Sequence, residues 1–257
     1  MEYDPIKDRA AALISVFPFL RAGFYKALHL LLLRQRYVTR EIAGHASENM
    51  SFYDAGAGFC QYSDMVLKRY PNARVFATDL KTDYLAAYAA QAKGAFSFQS
   101  ADLQDFIPEA RYDMAIAIDI LEHIERDEQA IANIHEALKV GGIFIISTPS
   151  DMDEAAAFTA EHVRPGYNKR ELEQKLIAQG FGIEKSIYTY GFWGSLSWRL
   201  MMKHPLNMLG ISKYLALALP LWYLMVYPIA ELMMQMDLRM SNSKGTGILI
   251  VAKKIDR

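Results

Sequence analysis

The chain has 257 residues and a single cysteine, Cys60. One thiol excludes an internal disulfide framework and a cysteine-based zinc site. An excess of charge of one sign is also missing. Lys and Arg total 28 and Asp and Glu 29, a net charge of −1, so nothing draws the whole chain toward nucleic acid. Internal repeats and low-complexity tracts are absent. The first residues, MEYDPIKDR, lack the basic-then-apolar order of a signal peptide, which gives the expectation of a cytoplasmic protein. What is present is an ordinary globular composition, 52% hydrophobic and 22% charged. The length suits one α/β domain with additions, or two small domains.

The apolar pattern alternates between short runs and helical periods. Pro5 to about Arg40 has apolar residues at helical spacing, with a break expected at Pro18. Strands are expected at Ser51–Asp54, Arg74–Asp79, Phe96–Gln99, Tyr112–Asp119 and Ile143–Ser147. Helices between them are expected at Tyr62–Tyr70, Thr82–Lys93 and Asp127–Val140, the last stopped by Gly141-Gly142. A further helix, Asn168–Gln179, has Asn168 as its cap. Phe181–Tyr190 and Gly247–Ala252 read as sixth and seventh strands. Continuous apolar strands alternating with helices imply a mostly parallel sheet covered on both faces.

The first strand ends in DAGAG. A glycine turn there lets backbone approach a ligand, and the next helix offers free N–H groups to an anionic group. Gly56 and Gly58 fit that role. Asp79, closing the second strand, is placed to accept both hydroxyls of a ribose. The third glycine of a dinucleotide fingerprint would fall at Gln61, which speaks against a pyrophosphate. Asp54, just before the glycines, would repel a pyrophosphate but suits an ammonium-bearing amino acid.

These motifs together resemble the class I S-adenosylmethionine-dependent methyltransferases, especially the small-molecule enzymes of the ubiquinone and menaquinone type. The resemblance runs from about Phe52 to Tyr190 and returns at Gly247. It implies a Rossmann-like α/β fold with seven strands, the last antiparallel. It implies S-adenosylmethionine as cofactor, held by Asp54, Gly56, Gly58, Asp79, Leu80, Asp102, Leu103 and Asp119. YDMAIAIDILEH at Tyr112–His123 resembles the segment under the methyl donor. His123 and His162 are the candidate bases; Tyr167 and Trp193 are candidate substrate contacts. Asp119, Glu122 and His123 resemble an acidic-acidic-His set that implies a divalent cation in ubiquinone-type enzymes. Here the first member is Asp instead of Glu, and solvated surface is the expected outcome, so no metal site is assigned. The NPPY-like motif of amino-group methylation is missing, and no nucleic-acid partner is expected.

The family usually joins its last two strands by a short connection. Here Gly191–Lys244 intervenes, with every Trp from Trp193 onward and most of the 13 Met. Its uncharged stretch, Tyr214–Ala230, is at the short edge for a membrane span and holds Pro220 and Pro228. A single crossing would put strands six and seven on opposite sides of a bilayer. The expected organisation is therefore an N-terminal helical lid (1–45), a cofactor-binding core (46–190 with 245–257) and an apolar helical cap (191–244). The cap is expected to serve a lipophilic acceptor, such as a quinone or lipid, and to touch a membrane surface; a homodimer interface is the competing use. A binding module without catalysis is the alternative from another class.

Overall fold

The computed structural model describes residues 18–92, 94–152 and 163–256. The expected helix before Pro18 lies outside these residues, as do His162 and Glu161.

Two helices lead in, α1 (Pro18–Leu31) and α2 (Leu33–His45). Pro18 is the first described residue of α1, and a further break falls at Leu32, which is extended (φ −108°, ψ 111°). The sheet follows with β1 (Ser51–Ala55), α3 (Gln61–Arg69), β2 (Arg74–Asp79), α4 (Asp83–Ala89), β3 (Phe96–Ser100), β4 (Tyr112–Ile118), α5 (Asp127–Ala137) and β5 (Leu138–Pro149). Then come α6 (Lys169–Ala178) and β6 (Phe181–Thr189), with β7 (Gly247–Lys254) at the end. Strand order is β3-β2-β1-β4-β5-β7-β6. The pairs β1–β2, β1–β4, β2–β3 and β4–β5 are parallel, and β7 runs antiparallel to both β5 and β6.

Successive strand residues enter opposite cores, as the two-residue pleat requires. Phe52, Met114, Ile116, Ile145, Leu249 and Val251 pack on the face shared with Tyr37, Val38 and Ile42 of α2. Tyr53, Ala115, Ala117, Phe144, Ile146, Ile248 and Ile250 pack on the face shared with Ile131 and Ile134 of α5 and Leu172 and Leu176 of α6. Both faces are buried, which is why these strands read as unbroken apolar runs.

Gly141-Gly142 does not stop α5. That helix ends at Ala137, Leu138 is already extended, and the glycines lie inside β5. They form an irregularity where the register against β4 jumps from Tyr112–Leu138 to Met114–Ile143. Gly141 has φ +79°, and a Cβ on Gly142 would sit 2.8 Å from the Lys139 carbonyl oxygen.

Between β6 and β7 the chain forms α7 (Phe192–Trp198), a π-helical turn (Arg199–Lys203), α8 (His204–Ile211), a 3-10 turn (Lys213–Ala218) and α9 (Leu219–Arg239). The α9 side that packs inward carries Ala230, Met234 and Asp237, spaced for one helical face. Asp237 is fully buried. It accepts from the Gly194 N–H (3.0 Å), the Tyr37 hydroxyl (2.9 Å) and the Asn242 amide (3.3 Å). A Cβ on Gly194 would lie 2.8 Å from the Asp237 Cγ, so α7 reaches α9 only through a glycine. The Trp222 indole and Tyr223 hydroxyl donate to the Leu200 and Met201 carbonyls of the π turn (3.0 and 3.1 Å). The outer side is apolar and bare: Leu217 is 86% exposed, Ile211 82% and Leu224 74%. The segment Lys213–Arg239 is the one stretch among the described residues long and apolar enough to cross a membrane by length and composition.

Candidate active site

The turn after β1 is built from left-handed backbone. Gly56, Gly58 and Cys60 have φ +79°, +49° and +58°. The N–H groups of Gly56 and Ala57 donate to the Thr78 carbonyl (2.8 and 3.0 Å), which ties the turn to the end of β2. A Cβ on Gly56 would lie 2.7 Å from the Ile120 side chain, whereas a Cβ on Gly58 would meet nothing within 4 Å. Gly56 is thus demanded by packing, and Gly58 leaves open space for a ligand. Cys60 is fully buried and its thiol is pushed up by burial and by Asp54, which removes it as a nucleophile.

Asp79 faces this turn. One carboxylate oxygen accepts the Gly58 N–H (2.9 Å) and the other the Lys81 N–H (3.0 Å). The two bonds fix the plane of the carboxylate, and each oxygen keeps a lone pair for a hydroxyl. Leu80 beside it is 62% exposed. Asp54 is buried and receives the Ser63 hydroxyl at 2.6 Å; burial pushes its carboxyl up to about 7. After β3, Asp102 accepts the Gln104 backbone N–H at 2.9 Å. The Leu103 side chain is buried, and its carbonyl accepts the Asn133 amide at 2.8 Å. The residues expected to hold the cofactor therefore lie at the C-terminal ends of β1, β2 and β3, except Asp119, which follows β4 and lines a separate cavity. They fit S-adenosylmethionine: a glycine open to approach, an acid for hydroxyls, and a second acid below the turn.

Helix α1 lies against the same turn. Phe24 meets the Phe59 ring edge-on at 5.2 Å, the Tyr25 hydroxyl donates to the Phe59 carbonyl, and Phe59 meets Tyr84 at 4.8 Å.

The end of β4 faces a second space. Asp119 is left-handed (φ +51°), and its N–H donates to the Ser147 carbonyl at 2.8 Å. Its carboxylate pairs with Arg34 of α2. Beside them is a cavity of about 270 Å³ whose lining includes Leu32, Arg34, Asp119, Trp198 and Arg199. Its other walls come from the ends of β5 and β6 and the start of β7. Glu122 does not line it. It is fully buried, accepts the Thr148 hydroxyl at 3.0 Å, and burial raises its carboxyl. Asp119 and Glu122 thus face different partners, and no group of three or more His, Cys, Asp or Glu side chains able to hold a metal occurs among the described residues.

The acceptor-side expectations need adjusting. His123 sits half-buried on the 3-10 turn Leu121–His123 and does not line the cavity. Tyr167 is 4% exposed; its hydroxyl donates to Asp127 (2.7 Å) and accepts from Arg164 (2.8 Å). Lys175 closes the same knot on Asp127 at 2.7 Å. Tyr167 is therefore committed to joining its loop to α5 and α6, which corrects its assignment to substrate. Trp193 stacks edge-on with Phe192 at 5.0 Å and does not line the cavity. The cap tryptophan that does is Trp198, one helical turn and a half further on. Arg34 and Arg199 are the further site residues. Arg34 stands near Arg36 and Arg40 in the chain, but its pairing with Asp119 depends on a contact across 85 residues.

Comparison with known proteins agrees with this geometry. A family model described as a methyltransferase domain matches residues 53–144. A ubiquinone biosynthesis O-methyltransferase of Rickettsia canadensis is 23% identical over 137 residues, 52% of this chain and 58% of that protein. The chain thus spans little more than half the length of the curated relatives it matches. Among solved structures, a putative sarcosine dimethylglycine methyltransferase from Galdieria sulphuraria is similar with TM-score 0.60 and 13% identity, over 86% of this chain and 84% of that one. Phosphoethanolamine N-methyltransferase 2 of Haemonchus contortus, in complex with S-adenosyl-L-methionine, is similar with TM-score 0.60 and 17% identity, over 87% of this chain and 53% of that one. Residues 53–144 thus match a methyltransferase domain, and the chain has the seven-stranded fold of the S-adenosylmethionine-dependent methyltransferases to which it is similar.

Proposed function

We propose that the chain methylates a small, lipophilic acceptor held in the cavity beside Asp119. The observation that carries this reading is the position of that cavity. It opens at the C-terminal ends of β4 and β5, one strand over from the cofactor turn, and Leu32, Pro149, Met152 and Trp198 give it apolar walls.

The cofactor, when bound, supplies an electrophilic methyl on a sulfonium. The chain's own residues supply position. Asp79 orients hydroxyls, the turn at Gly56–Gly58 admits the ligand closely, and α1 with Phe24 and Tyr25 shields the turn from water. Holding two reactants in line and dry accounts for much of the rate in such transfers. O-methylation is favoured because the curated relative above is named as an O-methyltransferase; His162 is the candidate base, and His123, outside the cavity lining, would act only through a rearrangement. The bare outer face of the cap suits the membrane interface, with Leu221, Leu224, Met225 and Ile229 forming a stripe opposite the buried face of α9.

The test is transfer of a labelled methyl group to lipid and aqueous extracts. Label in an organic-soluble product is expected. His123→Ala and His162→Ala separate base catalysis from proximity: one should lose rate and keep cofactor affinity. Cofactor binding with no label in any extract would instead favour a non-catalytic binding module.

A further inference from the structure

The outer side of the cap is uniform in chemistry. From Ile211 to Ile229 every exposed side chain is apolar, apart from Lys213 and Tyr214. Along α9 the exposed apolar positions Leu221, Leu224, Met225, Ile229 and Leu232 fall on one helical stripe. Such a stripe ordinarily faces a core, and here it faces out. No Asp or Glu occurs between Glu184 and Glu231, and Glu231 is held by Arg36. Arg199 and Lys203 have partners within the chain. Lys213 is exposed and lies 5.9 Å from the Tyr214 ring, which puts a cation and an amphipathic ring at one end of the apolar face.

The fold narrows what covers this face. Lys213–Arg239 has the length and apolarity of a membrane span, but β6 and β7 on either side of the cap pair in one sheet. The far end of α9 is also tied down, by Glu231 on Arg36 and by the buried Asp237. The helix therefore lies along a bilayer and does not cross it. A second copy fits less well. A two-fold contact would lay two acid-free faces together and give Lys213 no carboxylate. A membrane with anionic headgroups suits every part: acyl chains for the stripe, headgroups for Lys213, and their boundary for Tyr214. The same helix holds the cavity wall. Trp222 and Tyr223, between Leu221 and Leu224, bond the Leu200 and Met201 carbonyls, directly after the cavity residues Trp198 and Arg199. We infer that the cap docks flat on an anionic membrane surface, with the stripe from Leu221 to Leu232 among the acyl chains and Lys213 among the headgroups, and takes its acceptor from that membrane. This rests on the reading of the cavity as the acceptor site and adds to it the partner, its charge and the source of the acceptor.

The experiment is flotation of the full chain with vesicles of phosphatidylcholine alone, or of equal parts phosphatidylcholine and phosphatidylserine. Flotation is expected with the mixed vesicles and should weaken as salt is added. Lys213→Gln should lower the partition about fivefold, the effect of one basic residue at an anionic surface. The double variant Leu221→Gln with Leu224→Gln should abolish flotation at unchanged melting temperature, because both side chains are exposed. Labelled methyl transfer is then measured on a lipid extract presented in vesicles and in detergent micelles. The double variant should lose transfer from vesicles and match wild type in micelles. No flotation, equal flotation with neutral vesicles, or vesicle transfer unchanged in the double variant overturns the inference and leaves methyl transfer standing. A dimer in sedimentation that the double variant breaks, without flotation, overturns it in favour of a second copy. Flotation that the double variant loses, with no label in either presentation, supports docking while methyl transfer falls.

Discussion

Arg36 grips Glu231 with both arms of its guanidinium, Nη1 to Oε1 at 2.7 Å and Nη2 to Oε2 at 2.6 Å. The pair joins α2 to the long cap helix α9. Tyr227 (3.0 Å) and Gln235 (2.9 Å) also donate to the same carboxylate. The Arg36 side chain is only 10% exposed, so the pair is worth more than a surface ion pair.

These donors, Arg36 first, hold the Glu231 carboxyl at about 2, below its ordinary 4.5. A lowered folded pKa stabilises the fold above the unfolded value and loses that contribution as pH falls. Glu231→Gln and Arg36→Ala should therefore each cost about 1–3 kcal/mol at pH 7. The gap between wild type and Glu231→Gln should narrow as the pH drops from about 4.5 toward 2. Thermal melts at pH 7, 4 and 2.5 measure it; a gap of constant size across that range would refute the assignment.

The two turn glycines should separate stability from binding. Gly56→Ala forces a Cβ to within 2.7 Å of Ile120 at φ +79°, so both melting temperature and cofactor affinity should fall. Gly58→Ala meets open space in the free protein and carries only the strain of φ +49°. Its loss of stability should stay near about 1 kcal/mol, while the methyl group occupies room needed by the ligand. Calorimetric titration beside thermal melts distinguishes the two variants. Equal losses of stability would show that Gly58 is structural.

Asp79→Ala should abolish the carboxylate that faces Gly58 and lower cofactor affinity by about 30–100-fold, the equivalent of two hydrogen bonds. Asp79→Asn keeps one acceptor and should fall between. Removing the bonds to the Gly58 and Lys81 N–H groups also loosens the turn. Affinity measured at several temperatures, with stability in parallel, gives the comparison. Unchanged affinity in Asp79→Ala would remove Asp79 from the cofactor site.

Much of this was legible in the sequence because it is local. Strand patterns come from a two-residue pleat, and the turn at Gly56–Gly58 with Asp79 is a local backbone requirement between neighbouring strands. The cap was legible from its composition, and its bare outer side excludes its being simply an enlarged core. The acceptor side was less so. Tyr167 looked available on its loop until Asp127 and Lys175, brought in by two other helices, closed around it. Arg34 and Arg199 approach Asp119 from segments far apart in the chain, and only the folded sheet makes them neighbours. The Gly141-Gly142 pair reads as a helix stop in a linear pattern; whether such a pair ends a helix or buckles a strand depends on the partner strand.

Asp54 gives the pH dependence of cofactor binding a definite sign. Its carboxyl is pushed from 3.8 up to about 7 because it is buried, with only the Ser63 hydroxyl as a close side-chain partner. A raised acid pKa means that the folded chain holds a proton which the unfolded chain has lost. Stability therefore declines as pH rises from about 3.8 to 7, and the full penalty applies above that range. A ligand ammonium held by Asp54 needs the charged form. Binding should then release a proton and tighten as pH rises from 6 toward 7.5. Asp54→Asn should flatten this dependence, and it should be more stable than wild type at pH 8 than at pH 5, relative to the same comparison. Calorimetry in two buffers of different ionisation enthalpy reads the proton release directly. Affinity that is independent of pH in the wild type, with no proton exchanged, would place the ammonium elsewhere than Asp54.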